Sequence, residues 1–257
     1  MKSFNRISFC LAALGALGTF VPSSAEAQAC PVGRSCFYVP PALGTPQNYT
    51  VDWDMVISSP RGTITGTWRA GTGAATAFSV SPGTPLVVPL STTEGAAGAY
   101  ETAETRGIFI EASSAELIVN HRLVVGPWQS SSTIKNATYA LGQRFRLGSY
   151  NLNNNSGSPG TGFDYTAVYA PFGGTVTFTA PPGATLPFWQ ASPNASFSVV
   201  LAPGQTYVSR TIPAGICTRE QVGGLVTSTD PIAVSVGGRG WSGLCAVGGT
   251  CGDDGAD

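Results

Sequence analysis

One histidine is the first residue in this sequence to consider for acid–base chemistry. His121 is the only histidine of the 257 residues. It follows a strand-like run in which Ala115, Leu117 and Val119 alternate with polar residues, so it shares their face. A general base needs a serine or a carboxylate beside it, and the sequence supplies no second member. We therefore expect a half-exposed or hydrogen-bonded histidine at the end of a strand.

A pair of carboxylates is the second candidate for catalysis. Asp52 and Asp54 flank Trp53, so both carboxylates point to one face of a predicted strand. A glycoside hydrolase uses two carboxyl groups placed across a cleft. The same pattern is typical of charges that keep an exposed edge strand from pairing with another chain, and we favour that interpretation.

The acidic end of the chain offers oxygen ligands of the kind that calcium prefers. Asp253, Asp254 and Asp257 lack the alternating Asp/Asn spacing of a calcium-binding loop, so we expect a solvated tail and no metal. The sequence also lacks a phosphate-binding glycine loop, a dinucleotide-binding motif and a Gly-x-Ser-x-Gly turn. We predict no cofactor and no enzymatic activity.

The first 29 residues have the three parts of a secretory signal peptide. Lys2 and Arg6 form a basic start, residues 7–21 are apolar, and Ala27-Gln28-Ala29 is a small-x-small motif. We predict cleavage directly after this motif. Lipidation of the new N-terminal Cys30 is the alternative, which we disfavour because Gln28 is not small.

The cysteines are suited to an oxidising compartment. Cleavage of the signal peptide would leave Cys30, Cys36, Cys217, Cys245 and Cys251. Such residues usually form disulfides in exported proteins, and the first two and the last two could each close a small loop. Cys217 would then be left over. The spacings match no zinc motif, so we predict disulfides and not a metal site.

The composition indicates an all-β protein without nucleic-acid or membrane-spanning character. Only 11% of residues are charged, and glycine (33) and proline (19) are frequent. The mature chain would have a small net negative charge, which argues against a nucleic-acid partner. No later apolar stretch is long enough to span a bilayer.

Short alternating runs bounded by Gly, Pro, Asn and Ser predict many strands and an antiparallel β-sandwich-like fold. The predicted strands are residues 53–58, 62–68, 77–80, 86–90, 107–112, 115–121, 145–150, 164–169, 174–180, 196–201, 206–211, 224–227 and 232–237.

The second group of strands repeats the first. Gly62-Thr63-Ile64-Thr65 matches Gly174-Thr175-Val176-Thr177, and Phe78-Ser79-Val80 matches Phe197-Ser198-Val199. Such a repeat indicates two related β modules. We predict a signal peptide over residues 1–29, a first module over 30–136 and a second module with a cysteine-containing tail over 137–257. The polar residues 129–138 are expected to form a linker between the two copies.

These repeated segments resemble the IgGFc-binding protein N-terminal domain family, including its bacterial surface-protein members. The resemblance is carried by residues 53–67, 78–90, 107–119, 139–147 and 224–236. It implies a β-rich module of a surface protein. Antibody binding is known from an animal member, and nothing in this sequence indicates it.

Two pairs of basic and aromatic residues follow corresponding strands of the repeat. Arg122 precedes Trp128, and Arg239 precedes Trp241. Arginine and tryptophan are enriched at binding hot spots, so we predict that these residues bind a protein or glycan ligand. We therefore expect an exported protein, extracellular, on the cell surface or periplasmic, with a binding or adhesion role. A passive spacer module is the alternative, and a hydrolase with an unrecognised site is less favoured.

Overall fold

The computed structural model describes residues 29–41, 52–90, 97–125, 128–148, 163–184, 189, 196–211, 221–239, 244–245 and 249–250. The regular secondary structure of the described residues is almost entirely antiparallel β-strand, so the predicted all-β class is confirmed. One helical turn, α1 (Ala137–Ala140), separates a first group of eight strands from a second. We call the residues before and after this turn the first half and the second half.

The first half forms two four-stranded sheets. Its strands are β1 (Ser35–Val39), β2 (Asp52–Ser58), β3 (Ile64–Ala70), β4 (Thr76–Val80), β5 (Leu86–Pro89), β6 (Ile108–Ala112), β7 (Ile118–Val125) and β8 (Trp128–Ile134). One sheet has the order β1-β6-β3-β4 and the other has the order β5-β2-β7-β8. Every neighbouring pair is antiparallel.

The second half is organised around one long strand. Its strands are β9 (Gly142–Arg146), β10 (Phe163–Ala170), β11 (Gly174–Thr179), β12 (Ser196–Leu201), β13 (Gln205–Arg210), β14 (Leu225–Arg239), β15 (Leu244–Cys245) and β16 (Gly249–Thr250). Residues 225–228 of β14 pair with β11, and residues 233–239 pair with β10. The resulting order is β12-β11-β14-β10-β13, with β9 also paired to β14, while β15 and β16 form a separate hairpin.

The two halves pair their strands in the same order. The order β1-β6-β3-β4 corresponds to β9-β14-β11-β12, and β5-β2-β7 corresponds to β13-β10-β14. A single continuous strand, β14, therefore occupies the places that β6 and β7 occupy in the first half. This order agrees with the repeat seen in the sequence.

Most of the predicted strands are present within a few residues of their expected bounds, but the linker predicted at 129–138 is wrong. Residues 129–134 belong to β8, which pairs with β7 as a hairpin. The run Gln129-Ser130-Ser131-Ser132-Thr133 is polar and was therefore interpreted as a loop, although an edge strand tolerates polar side chains. The strand expected at 145–150 lies earlier, as β9, and β1 was not predicted as a strand.

Strand β10 is buried on both of its faces. Tyr165 and Ala167 belong to the apolar cluster that contains the core of the first half. Val168 and Ala170 point the other way, into the cluster of the second half. Because side chains alternate along a strand, β10 contributes side chains to the cores of both halves. Each fully buried large apolar side chain in these clusters contributes about 1.5–3 kcal/mol to folding.

A third cluster joins the halves at β1. Cys36 and Tyr38 pack with Tyr169 and Ala233 of the second half, and the rings of Tyr38 and Tyr169 have centroids 5.7 Å apart. The halves are thus in extensive apolar contact. Within the described residues, no helix is long and apolar enough to cross a bilayer.

Candidate functional site

Arg122, the first of the predicted binding residues, lies in β7 directly opposite Asp54 of β2. Its Nη2 atom donates a hydrogen bond to Oδ2 of Asp54 at 2.7 Å. The arginine side chain is 43% exposed and the aspartate side chain 13%. The ion pair holds the guanidinium group at the sheet surface and engages the carboxylate that we considered for catalysis. Exposed pairs of this kind contribute at most about 1 kcal/mol to stability.

Trp128 opens β8 and pairs with Val125, so it lies on the same β7–β8 hairpin as Arg122. Arg239 ends β14, opposite Phe163 at the start of β10. Arg122 and Arg239 therefore occur near corresponding sheet ends, because β2 and β10 are corresponding strands. Trp241 lies outside the described residues. The structure places the first pair in one hairpin, at register positions three residues apart along β7, and it places one member of the second pair; ligand binding by these residues stays a prediction.

The disulfide between Cys30 and Cys36 is present, with Cα atoms 5.7 Å apart. It closes a turn in which the Arg34 backbone N–H donates to the Pro31 carbonyl at 3.1 Å. Cys36 is buried, so the bond ties the start of the described chain to the core. Cys245 lies in β15, while Cys217 and Cys251 fall outside the described residues; the Cys245–Cys251 pairing therefore stays a prediction.

His121 is buried and lies within β7, so the predicted half-exposed position at a strand end is wrong, whereas the alternative of a hydrogen-bonded histidine is not contradicted. His121 is only 6% exposed, and it pairs with Met55 of β2 on one side and with Ser132 of β8 on the other. Strand β7 continues past it to Val125, so it lies in mid-strand between two neighbours. Burial lowers the pKa of His121 to about 4, so the imidazole is neutral at pH 7.

A buried polar group in the second half was not predicted from the sequence. The Asp164 carboxylate accepts a hydrogen bond from the backbone N–H of Gln221 at 2.8 Å. Thr166 donates its hydroxyl to the side-chain carbonyl of Gln221 at 2.7 Å, and all three residues are fully buried. These bonds attach Gln221, four residues before the start of β14, to strand β10. The sequence signal was weak because Asp164 and Thr166 lie in a run that reads as an ordinary alternating strand.

A second unpredicted feature lies between β5 and β6, in residues 97–106, which we call the strap. The strap follows the free side of β13, and Glu104 and Thr206 form an antiparallel bridge. Both side-chain carboxylate oxygens of Glu101 accept hydrogen bonds, one from the Tyr207 hydroxyl and one from the Arg210 backbone N–H, each at 2.8 Å. The strap has no alternating pattern, so only the structure shows that it joins the two halves.

The electrostatics of the strap centre on Glu101. Burial raises the pKa of Glu101 above its usual value of 4.5, against the lowering effect of the hydrogen bonds from Arg210 and Tyr207. Burial and the neighbouring Glu101 charge also raise the pKa of the Tyr207 hydroxyl. Among the described residues, no group of three or more His, Cys, Asp or Glu side chains could hold a metal ion.

Comparison with known proteins gives no relative from which a function could be inferred. No family model matches the chain, and no curated protein and no solved structure is significantly similar to it.

Proposed function

We propose that this chain is an exported protein that acts outside the cytoplasm as a rigid β scaffold with a binding or adhesion role. The observation that carries the proposal is the disulfide between Cys30 and Cys36. Disulfides form and persist in oxidising compartments and are rare in reducing ones. The bond directly follows the site at which the signal-like segment 1–29 would be removed, so two independent features favour export.

The scaffold consists, in this proposal, of two related β modules. The shared strand order of the two halves supports a duplication, as do repeated segments such as Gly62-Thr63-Ile64-Thr65 and Gly174-Thr175-Val176-Thr177. Their apolar contacts would hold the modules at a fixed angle. A fixed scaffold favours binding through hairpins and loops, because such segments tolerate sequence change while the sheets keep them in place.

The binding surface of this proposal includes the β7–β8 hairpin, with Arg122 and Trp128, and the segment after β14, with Arg239 and Trp241. The partly exposed guanidinium of Arg122 is held by Asp54, so less conformational entropy is lost when a ligand is bound. We expect a protein or glycan partner. The extensive contact between the halves equally suits a passive spacer module, which is the second candidate function.

A binding screen of residues 30–257 tests the proposal. The purified, oxidised protein is measured against immobilised glycans, mucins and bacterial envelope material. We expect saturable binding that Arg122→Ala or Trp128→Ala weakens about tenfold or more, as for a hot-spot residue. Arg61→Ala is the matched control, because Arg61 is an exposed arginine between β2 and β3.

Absence of binding by the folded protein would favour the spacer. Equal loss in the Arg61→Ala control would show that charge alone causes the effect and would contradict the assigned surface. Thermal unfolding of each variant separates a loss of binding from a loss of structure.

A further inference from the structure

The strap at residues 97–106 belongs to the first half in sequence, but its hydrogen bonds are to the second. The Glu101 backbone N–H donates to the Val208 carbonyl at 2.9 Å. Two residues of the strap and β13, Glu104 and Thr206, exchange backbone hydrogen bonds at 3.0 and 2.7 Å. The strap thus lies along the edge of β13 that β10 does not cover.

Side chains extend this backbone contact. Besides the two hydrogen bonds to the Glu101 carboxylate, the guanidinium carbon of Arg210 lies 4.9 Å from the centre of the Tyr100 ring, a distance at which a cation and a ring attract each other. Tyr100 also packs against the apolar cluster that contains the first-half core. The strap therefore connects that core to β13 through an apolar ring, a carboxylate and three backbone hydrogen bonds.

The backbone at Glu101 has an unusual conformation. Its φ is 57°, and it is the only residue other than glycine with a positive φ among those the structure describes. Residues with a Cβ seldom adopt this left-handed conformation, and they keep it where surrounding contacts over-determine it. Here those contacts are the bonds to Tyr207, Val208 and Arg210. The contacts at Glu101 thus oppose a local preference for another conformation.

We propose that the strap is a clasp that opens and closes on β13, and that the Glu101 carboxyl group is the catch that keeps it closed. When the catch is lost, the strap leaves the edge of β13 while the sheets stay folded. This inference does not depend on the proposed binding role, because it concerns how the two halves are held.

The charges around the catch determine how it responds to pH. Tyr207, Arg210 and Ser209 face Glu101 from β13, and the strap itself carries Glu104, whose carboxylate accepts the Gly98 backbone N–H at 2.9 Å, and Arg106. Burial raises the pKa of Glu101. A carboxyl group with a raised pKa contributes most to stability below its unfolded value, here 4.5, and that contribution is lost as pH rises through the folded pKa. The clasp should therefore hold more firmly at mildly acidic pH.

Limited proteolysis with trypsin tests the clasp directly, because Arg106 ends the strap. The cut after Arg106 is followed by mass spectrometry, and the cut after the exposed Arg61 is the internal reference. Glu101→Gly removes the carboxyl group and also relieves the positive-φ strain, a relief that by itself would favour the closed strap, while Tyr207→Phe removes one donor only. We expect the cut after Arg106 to accelerate about tenfold in Glu101→Gly and severalfold in Tyr207→Phe, as local opening becomes easier. Glu116→Gln, which removes an exposed carboxylate, should match the original protein.

The opposite results would overturn the proposal. If Glu101→Gly is cut after Arg106 no faster than the original protein, the carboxyl group is not the catch. If both cuts accelerate together, the variant unfolds globally and the strap is not a separate clasp. A last comparison uses Glu101→Gln: its thermal midpoint relative to the original protein should fall as pH is lowered towards 4.5, because the pKa of Glu101 is raised in the folded protein, and a relative rise would contradict the buried carboxyl group.

Discussion

The two halves pair their strands in the same order but fill the space above them differently. In the first half Gly66 of β3 lies opposite Phe78 of β4, and an added Cβ at Gly66 would lie 2.6 Å from the Phe78 ring. In the second half Phe178 lies opposite Phe197, and their rings stack with centroids 4.9 Å apart. One ring over a glycine and two stacked rings are thus alternative ways to pack the same pair of strands.

The halves also differ in the polar group that each buries. The first half buries the imidazole of His121. The second half buries the carboxylate of Asp164 together with Thr166 and Gln221, whose hydrogen bonds connect two distant parts of the chain. A repeated backbone therefore does not require repeated polar contacts. The comparison predicts that each half responds to different substitutions and conditions.

The largest effect is expected from truncating the stacked rings. Phe178 is fully buried and contacts Trp189, Phe197 and Tyr207. Phe178→Ala removes these contacts and leaves a cavity, so the free energy of unfolding should fall by about 3–5 kcal/mol. Urea unfolding measures the change. Val200→Ala, at a residue 77% exposed in the neighbouring strand, is the control, and an equal loss in both variants would refute the importance of the aromatic cluster.

The next largest effect is acid sensitivity from His121. The pKa of His121 is lowered from 6.5 to about 4 by burial, so the neutral imidazole is favoured in the folded state. Its contribution to stability is present above pH 6.5 and is lost as pH falls towards 4. The loss should reach about 2–3 kcal/mol at pH 4.

Two measurements check this prediction. The chain has one histidine, so its imidazole NMR signals give the pKa without ambiguity. In His121→Gln the stability between pH 6.5 and 4 should fall less steeply than in the original protein. A measured pKa near 6.5 would contradict the buried, neutral histidine.

A smaller effect is expected when the glycine of the first half is given a side chain. An alanine Cβ at Gly66 would lie 2.2 Å from the Glu111 carbonyl oxygen and close to the Phe78 ring. The strands must shift to accept it, at a cost of about 1–3 kcal/mol. Gly148→Ala is the control, because a Cβ there would meet nothing within 4 Å. Similar stabilities of the two variants, measured by thermal unfolding, would show that the space over β3 is not filled as described.

Local patterns were sufficient to predict most of the strands, because strands depend on alternation and turn residues that are close in sequence. The buried position of His121 was missed because the strand was taken to end there, whereas β7 continues to Val125 and is flanked by β8. Between Trp128 and Ile134, β8 consists only of glutamine, serine and threonine, so its sequence shows no alternating apolar pattern. The burial of His121 thus depends on β8, a neighbouring strand that the alternating pattern of the sequence did not reveal.

The candidate site was less predictable than the fold. Placement of Arg122 and Trp128 on one hairpin follows from β8, which was not expected. The contacts of Glu101 with Tyr207 and Arg210 join residues more than 100 positions apart, and no local pattern marks such a pair. The disulfide between Cys30 and Cys36 was predictable because it combines a short separation with a chemical reason to form.

Because β10 contributes side chains to the cores of both halves, the first half cannot complete its core until β10 has been synthesised. All the strands of the first half are synthesised before β10. Until β10 follows, part of the core of the first half is therefore exposed to solvent. Exposed apolar surface of this kind attracts chaperones and favours aggregation. Stopping synthesis after Ile134 should therefore yield a fragment that needs such help to stay in solution, whereas the longer chain covers the surface with its own later strands.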